Sequence, residues 1–110
     1  PPPPPPAPRG PLYQPAAGAR LTQPPLLVWR SKRKARFYNV QLYRKGSKIL
    51  SLWPGRARLK LHKRWKFNGR SFRLVRGSYT WLVWPAYGMR KKPNYGSLLG
   101  QSRFKIVARR

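Results

Sequence analysis

The side chains available for chemistry in this chain are guanidinium and ammonium groups. Its 110 residues hold 26 Arg and Lys and no Asp or Glu, for a formal charge of +26 with His neutral. Residues 55–77, GRARLKLHKRWKFNGRSFRLVRG, carry nine of those cations. A guanidinium fork matches the paired oxygens of phosphate, and an ammonium adds a compact point charge. No side-chain ion pair can form within the chain, so self-repulsion opposes any compact state until an external anion relieves it. The chemistry expected is capture of a polyanion, and phosphate-rich RNA or DNA fits it best.

Turnover is not expected. General acid–base work lacks carboxylates, there is no cysteine nucleophile, and His62, the single histidine, cannot assemble a metal cluster. Neither a phosphate-cradling glycine loop nor a dinucleotide fingerprint occurs. The chain therefore reads as a non-enzyme with no metal, no cofactor and no small-molecule substrate. His62 itself reads as a phosphate or base-stacking contact, or as a solvated strand residue.

The candidate RNA contacts fall into three groups. RSKRKAR supplies Arg30, Lys32, Arg33, Lys34 and Arg36, a run that also resembles a nuclear localisation signal. The central segment supplies Arg56, Arg58, Lys60 and His62, then Lys63, Arg64 and Lys66, then Arg70, Arg73 and Arg76. Toward the C-terminus come Arg90, Lys91 and Lys92, followed by Arg103, Lys105, Arg109 and Arg110. Trp65 and Phe67 stand among these cations and have two readings, core packing or base stacking.

Alternation predicts the elements that hold these groups. In RFYNVQLY, Tyr38, Val40 and Leu42 share one side, while Phe37, Asn39, Gln41 and Tyr43 share the other, as in a strand with two usable faces. RKGSK reads as a turn, KILSLW as the next strand, and Pro54–Gly55 as its end. Ala57, Leu59 and Leu61 then alternate with Arg58, Lys60 and His62, which places a cationic face outside and an apolar face on the core. Asn68–Gly69 is a type I′ hairpin signal that would set Trp65 opposite Phe72 and Phe67 opposite Arg70. RGS at 76–78 turns the chain into YTWLVW, where Trp81 and Trp84 cannot both occupy one strand face. The expected fold is mainly β: a small twisted antiparallel sheet or open barrel, with four or five strands between residues 36 and 84 and extended N- and C-terminal segments.

Residues 1–25 hold eleven of the fourteen prolines and only two cations, Arg9 and Arg20. They read as a proline-rich extended tail, polyproline II at its start. Residues 26–84 read as the basic β-rich core and 85–110 as an extended basic segment with a possible last strand in RFKIVARR. Length allows one domain. No apolar run approaches the ~20 residues of a membrane-spanning helix, and no basic amphipathic helix pattern suits a membrane surface.

Absence of acids, a small folded centre and long ends of little globular character together suggest a structural constituent of a ribosome. In that role the chain would bind and join rRNA segments by phosphate neutralisation and meet neighbouring ribosomal proteins. The non-Met start and proline-rich extension suggest an organelle, the mitochondrion. The alternative is a packaging protein of chromatin or a virion core. Cationic host-defence proteins are a more distant class.

Overall fold

The structure, a computed structural model, describes residues 10–109, so the prolyl run expected at 1–9 and the contact expected at Arg110 lie outside the described residues. Among these residues eleven strands follow in order: β1 (Leu12–Gln14), β2 (Ala19–Leu21), β3 (Leu26–Trp29), β4 (Phe37–Arg44), β5 (Ser47–Leu52) and β6 (Arg58–Lys60). Then come β7 (Arg64–Phe67), β8 (Arg70–Arg73), β9 (Gly77–Met89), β10 (Lys92–Tyr95) and β11 (Gly100–Ile106). Among the described residues the fold is mainly β, and no sheet closes into a barrel.

Two hairpins follow directly from local chemistry. Lys45–Gly46 joins β4 to β5 and Asn68–Gly69 joins β7 to β8, each with both turn residues at positive φ. That is the type I′ geometry whose twist suits paired strands. Across the second turn, Trp65 faces Phe72 and Phe67 faces Arg70, the register expected from the sequence.

Two larger sheets carry the core. One has the order β1-β3-β6; the other runs β2-β11-β9-β4-β5, with β10 also on β9. Ala86 pairs with both Phe37 and Tyr95, so β4 and β10 lie on opposite edges of β9. All pairings are antiparallel except β2 with β11. Their apolar faces meet: Leu27, Trp29 and Leu61 from the first side pack with Tyr38, Val40, Leu42, Trp81, Val83 and Phe104 from the second. Trp29 joins the layers, with its ring 5.4 Å from Tyr38 and 6.2 Å from Trp81. β1, β3 and β6 thus form one layer and the six-stranded sheet the other, packed face to face as a β-sandwich, with the β7–β8 ribbon a third, separate sheet.

A side-chain bond fixes the entry to β9. The Tyr79 hydroxyl, near the start of β9, donates to the Val75 carbonyl at 2.6 Å, locking the turn into the strand as a tyrosine corner does. Burial pushes the Tyr79 phenol above its ordinary 10.0, and the nearby Arg44 charge opposes that rise. A buried neutral phenol contributes stability below pH 10.0 that is lost as pH rises through its elevated value, because the unfolded chain ionises first. Tyr79→Phe should cost about 0.5–1.5 kcal/mol at neutral pH, the usual worth of such a bond. The deficit should shrink or reverse above pH 10, and paired thermal melts across that range would check it. Comparing the two proteins at each pH cancels lysine deprotonation, which relieves repulsion in both.

The ends depart from the sequence expectation. Residues 12–14 and 19–21, read as part of an extended tail, are strands β1 and β2. Pro11, Pro15, Pro24 and Pro25 flank these short strands rather than interrupt them, so no ladder N–H is missing. The boundary expected at 84/85 falls inside β9, and the loop expected from Ala86 onward is mostly the β9–β10 hairpin. Pro85 is tolerated in a central strand because its missing N–H falls between the β11 and β10 ladders, where its carbonyl accepts from Gly96 at 2.9 Å. The possible last strand is β11. Six strands, not four or five, begin between residues 36 and 84.

Candidate functional site

The β7–β8 hairpin carries four cations, Arg64, Lys66, Arg70 and Arg73, on two paired strands. Alternation puts Trp65, Phe67 and Phe72 on one face and Arg64, Lys66 and Arg73 on the other. The aromatic face is turned inward. Trp65 and Phe72 stack with centroids 6.0 Å apart and 14° between planes, and the Trp65 indole donates to the Ile49 carbonyl at 2.7 Å. Trp65 is therefore a packing residue that covers an edge strand, which decides between its two sequence readings. Arg70 lies over the Phe72 ring at 5.8 Å.

On the outward face Arg64 stands directly opposite Arg73. Like charges in such a pair repel. With Lys63 they border a cleft of about 300 Å³ whose other side is formed by residues 22–24. An anion between the two guanidiniums would turn repulsion into two charge-assisted bonds. Arg73→Glu should stabilise the anion-free protein by about 0.2–1 kcal/mol, since the opposed pair becomes attractive. The same change should weaken polyanion binding. Thermal melts beside an RNA titration on one variant would test both signs.

Other expected contacts are dispersed. Arg58 and Lys60 are exposed on the outer side of β6, while Leu59 is half-buried and Leu61 lies in the core at 2% exposure. The facing expected from alternation is the one observed. Arg56 and His62 are exposed beside that strand. The Lys60 ammonium donates to the Pro24 carbonyl at 2.8 Å, so part of its capacity is used internally. Arg103 and Lys105 are exposed on β11, on the opposite layer, with Phe104 and Ile106 turned inward between and beyond them. Lys105 pairs with Arg20 of β2, a second like-charge juxtaposition, and Arg20 was not among the expected contacts.

The run Arg30, Lys32, Arg33, Lys34 and Arg36 is exposed throughout the β3–β4 connection. Arg30 donates to the Tyr13 hydroxyl at 3.1 Å, and the Lys32 amide to the Tyr38 hydroxyl at 2.9 Å, which tie the connection to the sandwich. Arg76 is exposed at the corner before β9, where its carbonyl accepts from Arg44. Lys91 and Lys92 are exposed at the β9–β10 tip, and Arg109 is exposed near the end of the described residues. Arg90 has a different job. Its guanidinium lies over the Phe37 ring at 4.6 Å and donates to the Trp53 carbonyl at 2.9 Å, so it fastens two segments together.

The structure thus does not collect the cations on one strand face. They occupy both outer sheet surfaces, the hairpin and the connecting loops. Arg20, Arg44, Lys45 and Lys48 were not singled out in the sequence. Arg20 could have been recognised only by knowing that its segment pairs with β11. Among the described residues, no group of three or more His, Cys, Asp or Glu could hold a metal, and no helix is long and apolar enough to cross a membrane.

Fold and surface together define a cationic β-sandwich whose exposed Arg and Lys side chains are dispersed over several surfaces. No protein-family model, curated protein or solved structure matches the chain.

Proposed function

We propose that this chain is a noncatalytic polyanion-binding module with structured RNA as its partner. One observation carries the reading: in a chain without a single carboxylate, exposed cations cover both outer faces of the sandwich as well as its hairpin and loops. A ligand contacting one side would leave most of that repulsion in place. A component embedded in folded RNA meets phosphate on several sides at once. The role that follows is a stoichiometric structural constituent of a ribosomal subunit, joining rRNA segments beside neighbouring proteins. The packaging alternative fits less well, because the charge sits on paired strands rather than on extended basic tails.

A second reading is favoured by the two-layer architecture. β-Sandwiches recur as units of cell-surface proteins, and a proline-rich stretch has the composition of a semi-rigid spacer. The cations would then meet an anionic polymer at a cell surface. This argument works by analogy of fold, which by itself does not fix function. The β1 and β2 pairings also favour it, since they fold into the sandwich residues read from the sequence as an extended tail.

Mild purification of the native protein, gradient sedimentation and RNA crosslink mapping separate these readings. Constant stoichiometry with one ribosomal subunit and clustered rRNA crosslinks are expected. Recovery in an envelope fraction without RNA crosslinks would establish the second reading. Dispersed crosslinks along genomic DNA would establish packaging.

A further inference from the structure

The outer face of the larger sheet holds a groove of about 550 Å³ that none of the expected cationic contacts lines. Asn39 and Gln41 of β4 form its floor with Ser51 and Trp84. These four share a face because Gln41 pairs with Ser51 and Asn39 with Trp84. Asn39 is only 6% exposed, yet both polar atoms of its amide are hydrogen-bonded. Its Nδ2 donates to the Leu52 carbonyl at 3.1 Å and to Ser51 Oγ at 3.0 Å. A backbone carbonyl can only accept, so this bond fixes which way the amide points. Asn39 Oδ1 then accepts from Gln41 Nε2 at 2.7 Å, and Gln41 Oε1 accepts from the Tyr43 hydroxyl at 2.8 Å.

The outcome is a floor with a defined hydrogen-bonding sense. Both amide oxygens are turned to internal donors. The second Gln41 N–H, the Ser51 hydroxyl proton and the Lys48 ammonium remain to donate into the groove. Above the floor stands an aromatic wall. Trp53 and Tyr95 are 48% and 44% exposed, and the Trp53 indole donates to the Tyr95 hydroxyl at 2.9 Å. Arg90 braces this wall through the Trp53 carbonyl, and Phe37 meets Tyr95 edge-on at 6.3 Å. Phe67 and Asn68, from the tip of the β7–β8 hairpin, contribute the other side.

Exposed indole and phenol rings held in place beside a donor-rich floor suit a flat ligand that carries acceptors. We propose that this groove holds one unpaired nucleobase of the bound RNA, stacked on the Trp53–Tyr95 wall. Base carbonyl oxygens and ring nitrogens meet the Gln41 and Ser51 donors, while Lys48 meets the adjoining phosphate. A neutral sugar suits the groove less well, because its hydroxyls need acceptors. Each amide oxygen of the floor already accepts one internal bond, and the chain has no carboxylate side chain, so donors outnumber open acceptors in the groove. The proposal rests on the RNA reading above and adds a base-dependent contact to a contact set otherwise made to phosphate.

The test uses a nine-residue abasic RNA strand, with and without a single central uracil, titrated against the full chain. The uracil should tighten binding by about tenfold, within the range for stacking of one base on an aromatic side chain. Trp53→Ala should remove that increment and Gln41→Leu should reduce it, with the salt-dependent affinity for the abasic strand unchanged. Arg90→Ala, acting by loosening the wall, should reduce the increment and broaden the Trp53 indole N–H resonance. Thermal melts confirm that each variant is folded. Equal affinity for the two strands in the wild type would overturn the groove assignment and leave the RNA reading standing. Failure of both strands and of structured RNA to bind at low salt would instead remove the RNA reading, and the assignment with it. Binding of a galacturonate oligosaccharide that is lost in Trp53→Ala, with no uracil increment, would give the groove to an acidic sugar.

Discussion

Raising salt from ~50 to ~200 mM should weaken binding to a structured RNA by about 10³-fold or more, as expected when about six to ten phosphates are neutralised. The contacts that would supply this number lie on three surfaces: Arg64, Lys66 and Arg73 on the hairpin, Arg58 and Lys60 on β6, and Arg103 and Lys105 on β11. Each phosphate contact releases condensed counterions, and the slope of log affinity against log salt counts them at about 0.9 per contact. A slope near two would mean that only one surface engages, which a ligand lying along one face would produce. A flat dependence would contradict the electrostatic account altogether. Bound RNA should also raise the melting temperature, since it binds the folded state and removes repulsion that salt otherwise screens.

The groove changes what such a titration means. Phosphate contacts are lost steeply with salt, but stacking on Trp53 is not tied to counterion release. If the groove is occupied, a base-dependent remainder persists at high salt. The two contributions can therefore be separated in one series of measurements, without a variant.

Much of the fold was legible where one strand face is apolar and the other is not. Tyr38, Val40 and Leu42 against Asn39, Gln41 and Tyr43 gave β4 both of its faces, and Ala57, Leu59 and Leu61 gave β6 its inward side. Asn68–Gly69 set the register of a hairpin because turn geometry leaves no other pairing. The ends were harder to read. Leu12–Gln14 and Ala19–Leu21 are too short for a period to show, and they are stabilised by partners far along the chain, Trp29 and Phe104 among them. Pro85 looked like a terminator because its neutral position between two ladders is a property of the sheet, not of the residue. The cations were legible by residue type alone, but their distribution over both layers was not. The groove was not, because Trp53, Trp84 and Tyr95 come from three strands or loops and meet only after β4, β5, β9 and β10 assemble. Composition speaks of charge; it is silent on which aromatic rings end up outside.

Placing a carboxylate at position 61 should unfold the protein, whereas removing two cations from the same strand should not. Leu61 is 2% exposed and sits in the cluster with Leu27 and Trp29 at the meeting of the two sheets. Leu61→Asp leaves a charge there with no built partner, and an uncompensated buried charge costs about 3–5 kcal/mol. The domain's whole stability is expected to be about 5–15 kcal/mol, and repulsion among 26 cations lowers it further at low salt. Leu59→Asp should be milder, because Leu59 is only half-buried and its neighbours Arg58 and Lys60 can reach a carboxylate near the surface. Arg58→Gln with Lys60→Gln removes two exposed charges and one exposed bond, from Lys60 to the Pro24 carbonyl. Less repulsion and one lost bond should nearly cancel, so the fold should persist. The salt slope for RNA should fall by about two, one per phosphate contact removed. Circular dichroism melts and RNA titrations on the same four proteins (wild type, the two aspartates and the double glutamine) decide the matter. A folded Leu61→Asp protein together with an unfolded double glutamine would invert the facing of β6. It would also move the cations of that strand from the binding surface into the structure itself.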